Sequence, residues 1–452
     1  GAQENDVVFV LGNPGSTSRL STVEQLKYMR DVSYPFISRI INDRLDVLHE
    51  YQDLKPEKKT QIRTTILQME NARKAYWGRL NGLRDDMLFQ RRVAFEGDFK
   101  GAVQSDPAKA SNYGTLWNAI AQDRQLARKI APEVYGLRVS GLGTSNYLQS
   151  AYNAMKYRAE ASKSEAGTDE DAETKINKMA TFIGADMDME QLTLTRQLEI
   201  MRDYLGNDDP VVMAALNGKS PEAAAKAMLA STAMKDSASY YALVTGTGSG
   251  SDPFFQVAEL LQPRLDAAVK TTQEISVRDN TNQAQLGRAF FAVYGTDVPP
   301  DATFTLRIAD GVVKGYEYNG TIAPPYTTFY GMYDRHYSHN GAPGWELPER
   351  WKNPPDGFDM STPVDFVSTN DIIGGNSGSP IVNKDLEIVG LVFDGNIESL
   401  PGDYIFAEDA GNRTISVHSA GILEAVRYIY DCERIARELE AGGIPDGMSM
   451  AE

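Results

Sequence analysis

The sequence predicts an α+β fold in which one β-rich unit is interrupted by a large all-helical insertion. Three observations carry this expectation. A short apolar run, Asp6 to Gly12, reads as a buried strand that ends on the turn Asn13-Pro14-Gly15. From about Ser21 to about Gly287 the pattern is almost wholly helical. From about Ala289 the texture changes to short β-prone runs, and Ser419 to Glu440 reads as a closing helix. A chain of 452 residues exceeds one ordinary core, so two domains are expected. An insertion is compatible with one host unit when its two ends lie close together.

Within the helical part, Ser21 reads as an N-cap with Glu24 three residues on, a capping box. Pro56 suits the first turn of a long helix. Its apolar residues Ile62, Ile66, Met69, Tyr76, Leu80, Leu83 and Met87 recur mostly at three- and four-residue steps. Tyr113 to Arg128, Asn146 to Ser162, Lys175 to Leu205 and Phe254 to Ile275 repeat the pattern, with breaks expected at Gly97-Asp98, Gly141-Leu142-Gly143, Gly167 to Asp171 and Asn207 to Pro210. These stripes read as helix-to-helix core packing, and without a fixed period they do not make a solenoid. Thr245 to Ser251 is rich in glycine but lacks the Gly-Lys-[Ser/Thr] ending of a phosphate loop, so it reads as a flexible connection. In the β part, Thr303 to Ala309 and Val312 to Tyr316 read as strands joined by a two-residue hairpin at Asp310-Gly311. Pro324-Pro325 and Tyr337 to Pro355 read as loop.

Composition excludes several classes. The net charge of −17 argues against nucleic acid as a partner, because phosphate binding needs a basic surface. It also disfavours strongly acidic substrates through long-range repulsion. No apolar run approaches the ~20 residues of a membrane span. Cys432 is the single cysteine, so no internal disulfide is possible, and it reads as a packed helix residue. No motif calls for a metal or other cofactor.

The stretch with the most chemistry is Gly374-Gly375-Asn376-Ser377-Gly378-Ser379-Pro380, between the extended runs Val364 to Ser368 and Ile381-Val382. Glycines allow tight or positive-φ backbone and let a carbonyl approach backbone N–H groups. A serine there is a candidate nucleophile, with the N–H groups of Gly375 and Ser377 as candidate oxyanion donors. The pattern differs from the α/β-hydrolase elbow, Gly-x-Ser-x-Gly, because position 379 is serine. The plain alternative is a glycine-rich turn with an incidental serine.

Three stretches, Ser368 to Pro380, Gly390 to Asn396 and Arg413 to Val417, resemble the trypsin-like bacterial dipeptidyl peptidases of the 7 and 11 type. The likeness extends more loosely back to the first residues. It implies a chymotrypsin-like fold: residues 1–17 as the first strand of the second β-barrel, 18–290 as an inserted helical cap, and 291–452 as the rest of that barrel. It implies peptide substrates with a free N-terminus, no cofactor, a homodimer, and a periplasmic or cell-surface location. The cap would close one end of the cleft and so enforce removal of dipeptides.

A serine needs a base, usually a histidine oriented by a carboxylate. The four histidines are His49, His336, His339 and His418, and none has the sequence setting of a trypsin-like base. His49 reads as a helix-surface residue and His418 as the first residue of the closing helix. The His336/His339 spacing suits a metal on a helix, but Tyr333 to Gly341 reads as loop. In the family resembled, the histidine and aspartate precede the matched stretches. The expectation is therefore a C-terminal portion carrying the nucleophile but not the base.

By the same resemblance Asp394 would hold the substrate's amino group, and Asn42 would assist it. Read from the residues alone, Asp394 caps the turn at Gly395-Asn396 and Asn42 is a solvated helix residue. In the family an arginine at position 395 goes with Asp or Glu as the second residue of the dipeptide. Gly395 leaves that pocket without a cation, where a buried carboxylate would lie unpaired. A preference for apolar residues is therefore expected. Two other classes remain open: a trypsin-like endopeptidase with a helical partner-binding insert, and a non-catalytic helical binding module.

Overall fold

The computed structural model describes residues 1–161, 172–248 and 251–444. The chain divides into two compact units: Gly1–Ser21 with Thr296–Glu452, and Thr22–Gly295.

The second unit is all-helical among its described residues. Its opening helix, Val23–Tyr28, starts one position later than expected: Thr22, not Ser21, is the N-cap, and Gln25 completes the capping box. The run from Pro56 is a 3-10 turn, Pro56–Lys58, followed by the helix Lys59–Arg84. Asp85 then caps a new helix, Asp86–Gln104, by accepting from the Leu88 N–H, so Met87 belongs to the second helix. Gly97-Asp98 does not break that helix; a Cβ at Gly97 would meet nothing, so solvent rather than packing surrounds it. Lys175 to Leu205 is two helices, Ala172–Met179 and Met187–Leu205. The last helix, Pro253–Tyr294, is longer than expected and runs 42 residues. Breaks do fall at Gly141–Gly143 and Asn207–Asp209. The break expected over Gly167–Asp171 lies outside the described residues, as does part of Thr245–Ser251. The core joins Leu148, Ile176, Leu194, Tyr240, Phe254 and Leu261, all at or near zero exposure.

The first unit is organised on an antiparallel sheet. Its strands in chain order are β1 (Val7–Gly12), β2 (Arg307–Val312), β3 (Tyr316–Tyr318), β4 (Thr321–Ala323), β5 (Tyr326–Thr328), β6 (Pro363–Ser368), β7 (Pro380–Asn383), β8 (Ile388–Gly395) and β9 (Thr414–His418). Seven of them form one sheet in the order β2-β1-β7-β8-β9-β6-β5, and β3 pairs with β4 separately. The expected barrel is not closed as a ladder, because β2 and β5 are edges. An isolated bridge between Val313 and Ser368 nevertheless joins the end of β2 to the end of β6. Val8 and Val10, alternating on β1, pack with Phe366, Ile381, Val389 and Val392 in the core of this unit.

Asp310-Gly311 is not a hairpin. Both residues lie inside β2, opposite Phe9 and Val8. The reason is tertiary: a Cβ at Gly311 would come within 2.5 Å of the Asn370 nitrogen, so the glycine serves a close approach rather than a turn. Asn370 is fully buried and its Nδ2 donates to the carbonyls of Val8 (3.1 Å) and Ala309 (2.7 Å), stapling β1 and β2 to the loop after β6. Tyr333 to Gly341 is mostly helix, Phe329–Ser338, not loop. The closing helix is interrupted: Ser419–Glu424 continues as a π turn, Ala425–Ile429, and a new helix, Glu433–Ala441, follows. Asp431 at φ 51° makes the break, and Cys432 is the N-cap of the last helix rather than a packed interior residue.

His418 ends β9 and caps the next helix. Its Nδ1 accepts from the Ala420 N–H, and its Nε2 donates to the Ala2 carbonyl at 3.0 Å. Burial is the largest influence and lowers its pKa below the usual 6.5, so the ring is held neutral. The unfolded chain therefore takes up this proton first as pH falls. The contribution of His418 should be fully present above about pH 6.5 and be lost on acidification through the lowered folded value. Urea unfolding measured against pH should show that slope, and His418→Gln should flatten it. Asn370→Ala should cost roughly 2 kcal/mol by loss of two buried hydrogen bonds, read from the urea midpoint.

Candidate active site

Ser377 lies in the turn between β6 and β7 and is exposed to solvent. The turn is held from below. Buried Asn376 bonds the Ile373 carbonyl through both its backbone N–H (3.1 Å) and its Nδ2 (3.0 Å). The Gly378 N–H donates to Val392 O at 2.7 Å, and the Val392 N–H to Ser379 O at 2.9 Å, so the turn is sewn to β8. Gly375 has φ 109°, and a Cβ there would lie 2.7 Å from both Asn13 O and Gly15 N. The Gly15 N–H in turn donates to Gly374 O at 2.8 Å. Gly12 passes just as close to the side chains of Asn376 and Ser379. The turn after β1 is thus a backbone support for the serine turn, and glycine is required on both sides of the contact.

Among the described residues no acceptor engages the backbone N–H of Gly375 or of Ser377. The Ser377 hydroxyl makes a long bond, 3.4 Å, to Phe393 O. Phe393 is the extra residue of a bulge in β8, where pairing with β9 shifts between Val392 and Asp394. A bulge re-aims the groups around it. It is followed at once by Asp394 and Gly395. Asp394 is exposed and caps its own strand end, its Oδ1 accepting from the Gly395 N–H at 2.8 Å. Sequence and structure therefore bring Ser377, Gly375, Asp394 and Gly395 to one end of the β7–β8 pair. Asn42 is exposed on the helix Tyr34–Leu54, which belongs to the helical unit.

Three of the histidines are occupied elsewhere. His418 is bonded as described above. The His336 Nδ1 meets Trp345 O at 2.8 Å, and the His339 ring stacks on Trp345 at 4.1 Å. No helix of the described residues is long and apolar enough to cross a membrane.

One support was not singled out from the sequence. Arg19 pairs with Asp371 through two bonds, 2.5 and 2.7 Å, and also donates twice to Gly402 O, at 2.9 and 2.8 Å. It thereby links the loop leading into the serine turn with the segment after β8. Asp301 anchors the Arg19 region by accepting from the Arg19 and Leu20 N–H groups and from the Thr17 hydroxyl. The partners are more than 280 residues apart, and no local signal marks them.

The sequence profile of the family described as Peptidase S46 matches residues 1–441. The chain belongs to the peptidase S46 family. Over 97% of its length this S46 chain is 24% identical to an Asp/Glu-specific dipeptidyl-peptidase of Shewanella putrefaciens, and covers 65% of that protein. Over 96% of its length it is 23% identical to dipeptidyl-peptidase 7 of Capnocytophaga gingivalis, covering 61% of it. Over a shorter part, 34% of the chain, it is 35% identical to dipeptidyl-peptidase 7 of Porphyromonas gingivalis, covering 23% of that protein. The crystal structure of Porphyromonas endodontalis DPP11 superposes with TM-score 0.76 at 17% identity, over 97% of this chain and 65% of that one. At that identity the superposition speaks for the fold alone. The S46 chain spans less than two thirds of the length of these relatives.

Gly375→Ala should disrupt the serine turn, because both the positive φ and the Asn13–Gly15 contact exclude a side chain. A lowered thermal midpoint together with slower labelling of Ser377 by a fluorophosphonate probe would register it.

Proposed function

We propose that Ser377 is the nucleophile of a serine exopeptidase that releases dipeptides from a free N-terminus through an acyl-enzyme. The observation that carries this reading is the exposed Ser377 hydroxyl, flanked by two unengaged backbone N–H groups and next to the Asp394 strand end. In the first half-reaction the hydroxyl attacks the carbonyl of the second residue, a base takes its proton and passes it to the departing nitrogen, and the peptide remainder leaves as an amine. Water then releases the dipeptide. The oxyanion would lie against the N–H groups of Gly375 and Ser377. Asp394, with Asn42 assisting, would hold the α-ammonium, which makes the site count two residues from the chain end.

By the resemblance, the base and its carboxylate would come from polypeptide beyond these 452 residues; what supports this is that His336, His339 and His418 have other partners. The barrel reading of the first unit, the action of the helical unit as a cap, a homodimeric assembly, and a periplasmic or cell-surface location belong to the same proposal.

For side-chain preference the relatives point both ways, since they include Asp/Glu-specific enzymes and dipeptidyl-peptidase 7. We favour an apolar second residue, because position 395 is glycine and carries no cation. Hydrolysis of dipeptide reporters by the full-length protein should be faster after Leu or Phe than after Asp or Glu; the reverse order would overturn the preference. Ser377→Ala should lower kcat by about 10⁴-fold or more. Peptides blocked at the N-terminus should not be cut, and efficient cleavage of them would favour an endopeptidase instead.

A further inference from the structure

The backbone of Gly395 is not in the left-handed region, so its conformation alone would admit any residue. Space forbids one. A Cβ built there lands on the Ser399 hydroxyl oxygen, well inside contact distance, and 3.2 Å from Ser399 Cβ. The Ser399 side chain is not a flexible end that can swing away. It is buried, with 8% of its surface exposed, and its hydroxyl donates to Asn396 O at 2.6 Å. That segment is pinned in turn. Asn396 is buried and exchanges bonds with Arg413, N–H to O at 3.0 Å and Oδ1 from N–H at 2.9 Å, while its Nδ2 holds Gly411 O at 2.7 Å. The Arg413 guanidinium donates to the carbonyls of Lys314 and Gly315, both at 2.9 Å.

We infer that Ser399 is a specificity-determining residue: it takes the volume of a side chain at position 395 and so keeps a cation out of the wall beside Asp394. The inference rests on the exopeptidase reading for its functional consequence, but its steric core stands without it. A glycine is tolerated at 395 because Ser399 fills the space, and a residue at 395 is admitted only when 399 is reduced to glycine. The two positions act as one unit: a side chain at 395 strains the turn while Ser399 is kept, and fits once 399 is glycine. The serine hydroxyl already donates to Asn396 O, so it is not a donor for an incoming carboxylate.

The test is a double-variant cycle in the full-length protein. Gly395→Ala should lower the thermal midpoint by a few degrees, and Ser399→Gly in the same chain should recover most of that loss. Gly395→Arg with Ser399→Gly should raise the ratio of Glu-reporter to Leu-reporter cleavage by about tenfold or more over the parent, as a placed opposite charge does. Gly395→Arg alone should do so weakly and at lower stability. Additive shifts in the thermal midpoint, or an equal change of preference with Ser399 retained, would overturn the inference. Should the midpoints couple while no variant cleaves any reporter, the steric pairing holds and the peptidase reading falls.

Discussion

The sheet of the first unit depends on β1 reaching its place between β2 and β7. The strand pairs with Arg307–Val312 on one side, across almost 300 residues of intervening chain, and with Ile381–Asn383 on the other, across more than 360. Without it, β2 has no partner ladder and β7 loses one edge. Backbone hydrogen bonds of this kind give little net stability each, but leaving them unmade in a buried sheet is expensive. Loop-closure entropy grows only slowly with length, so a compact helical unit between the strands is tolerable once its ends sit together. Those ends do lie in one place: Thr17 and Arg19 on one side bond Asp301 on the other.

The same strand supports the serine turn. Its exit runs against the serine turn, Gly12 on the side chains of Asn376 and Ser379, and Asn13 to Gly15 backbone to backbone on Gly374-Gly375. A hydroxyl on a turn is useful only if the turn cannot wander, and this one is fixed by backbone contact, by Asn376 beneath it and by the stitches to β8. Arg19 and Asp371 add a charged clamp one loop further back. Their side chains are about a third exposed, 29% and 33%, so the clamp's value is in geometry more than in net free energy.

Much of this was legible in the sequence because it is local. The buried alternation of β1, the glycine-rich serine turn and the run of amphipathic helices each announce themselves within a short window. What was misread depended on distant neighbours. Gly311 resembles a hairpin residue until Asn370 is seen to press on it. Gly97 resembles a break, yet Phe99 and Val103 of the same helix are buried, and their packing carries the helix through the open position. His336 and His339 sit among aromatic and small polar residues that suggested loop, while the Trp345 ring stacks on His339 and its carbonyl bonds His336, fixing the helix end. The sheet's incomplete closure also escaped a strand-by-strand reading, since a single bridge at Val313 and Ser368 is a property of the whole curl.

Position 395 shows how far a family pattern carries and where it stops. Read along the chain, a glycine beside Asp394 is one letter, open to replacement. In the folded unit it is half of a pair whose other half lies four residues on, in a turn held by Asn396 and Arg413. Replacing the letter alone asks a buried serine to leave its hydrogen bond and the turn to move. The cost of that movement is paid in the same turn that supports the end of β8, and therefore in the placement of the Asp394 carboxylate. A larger residue at 395 in this chain would need a compensating change nearby, and the geometry puts that change at the side chain of 399.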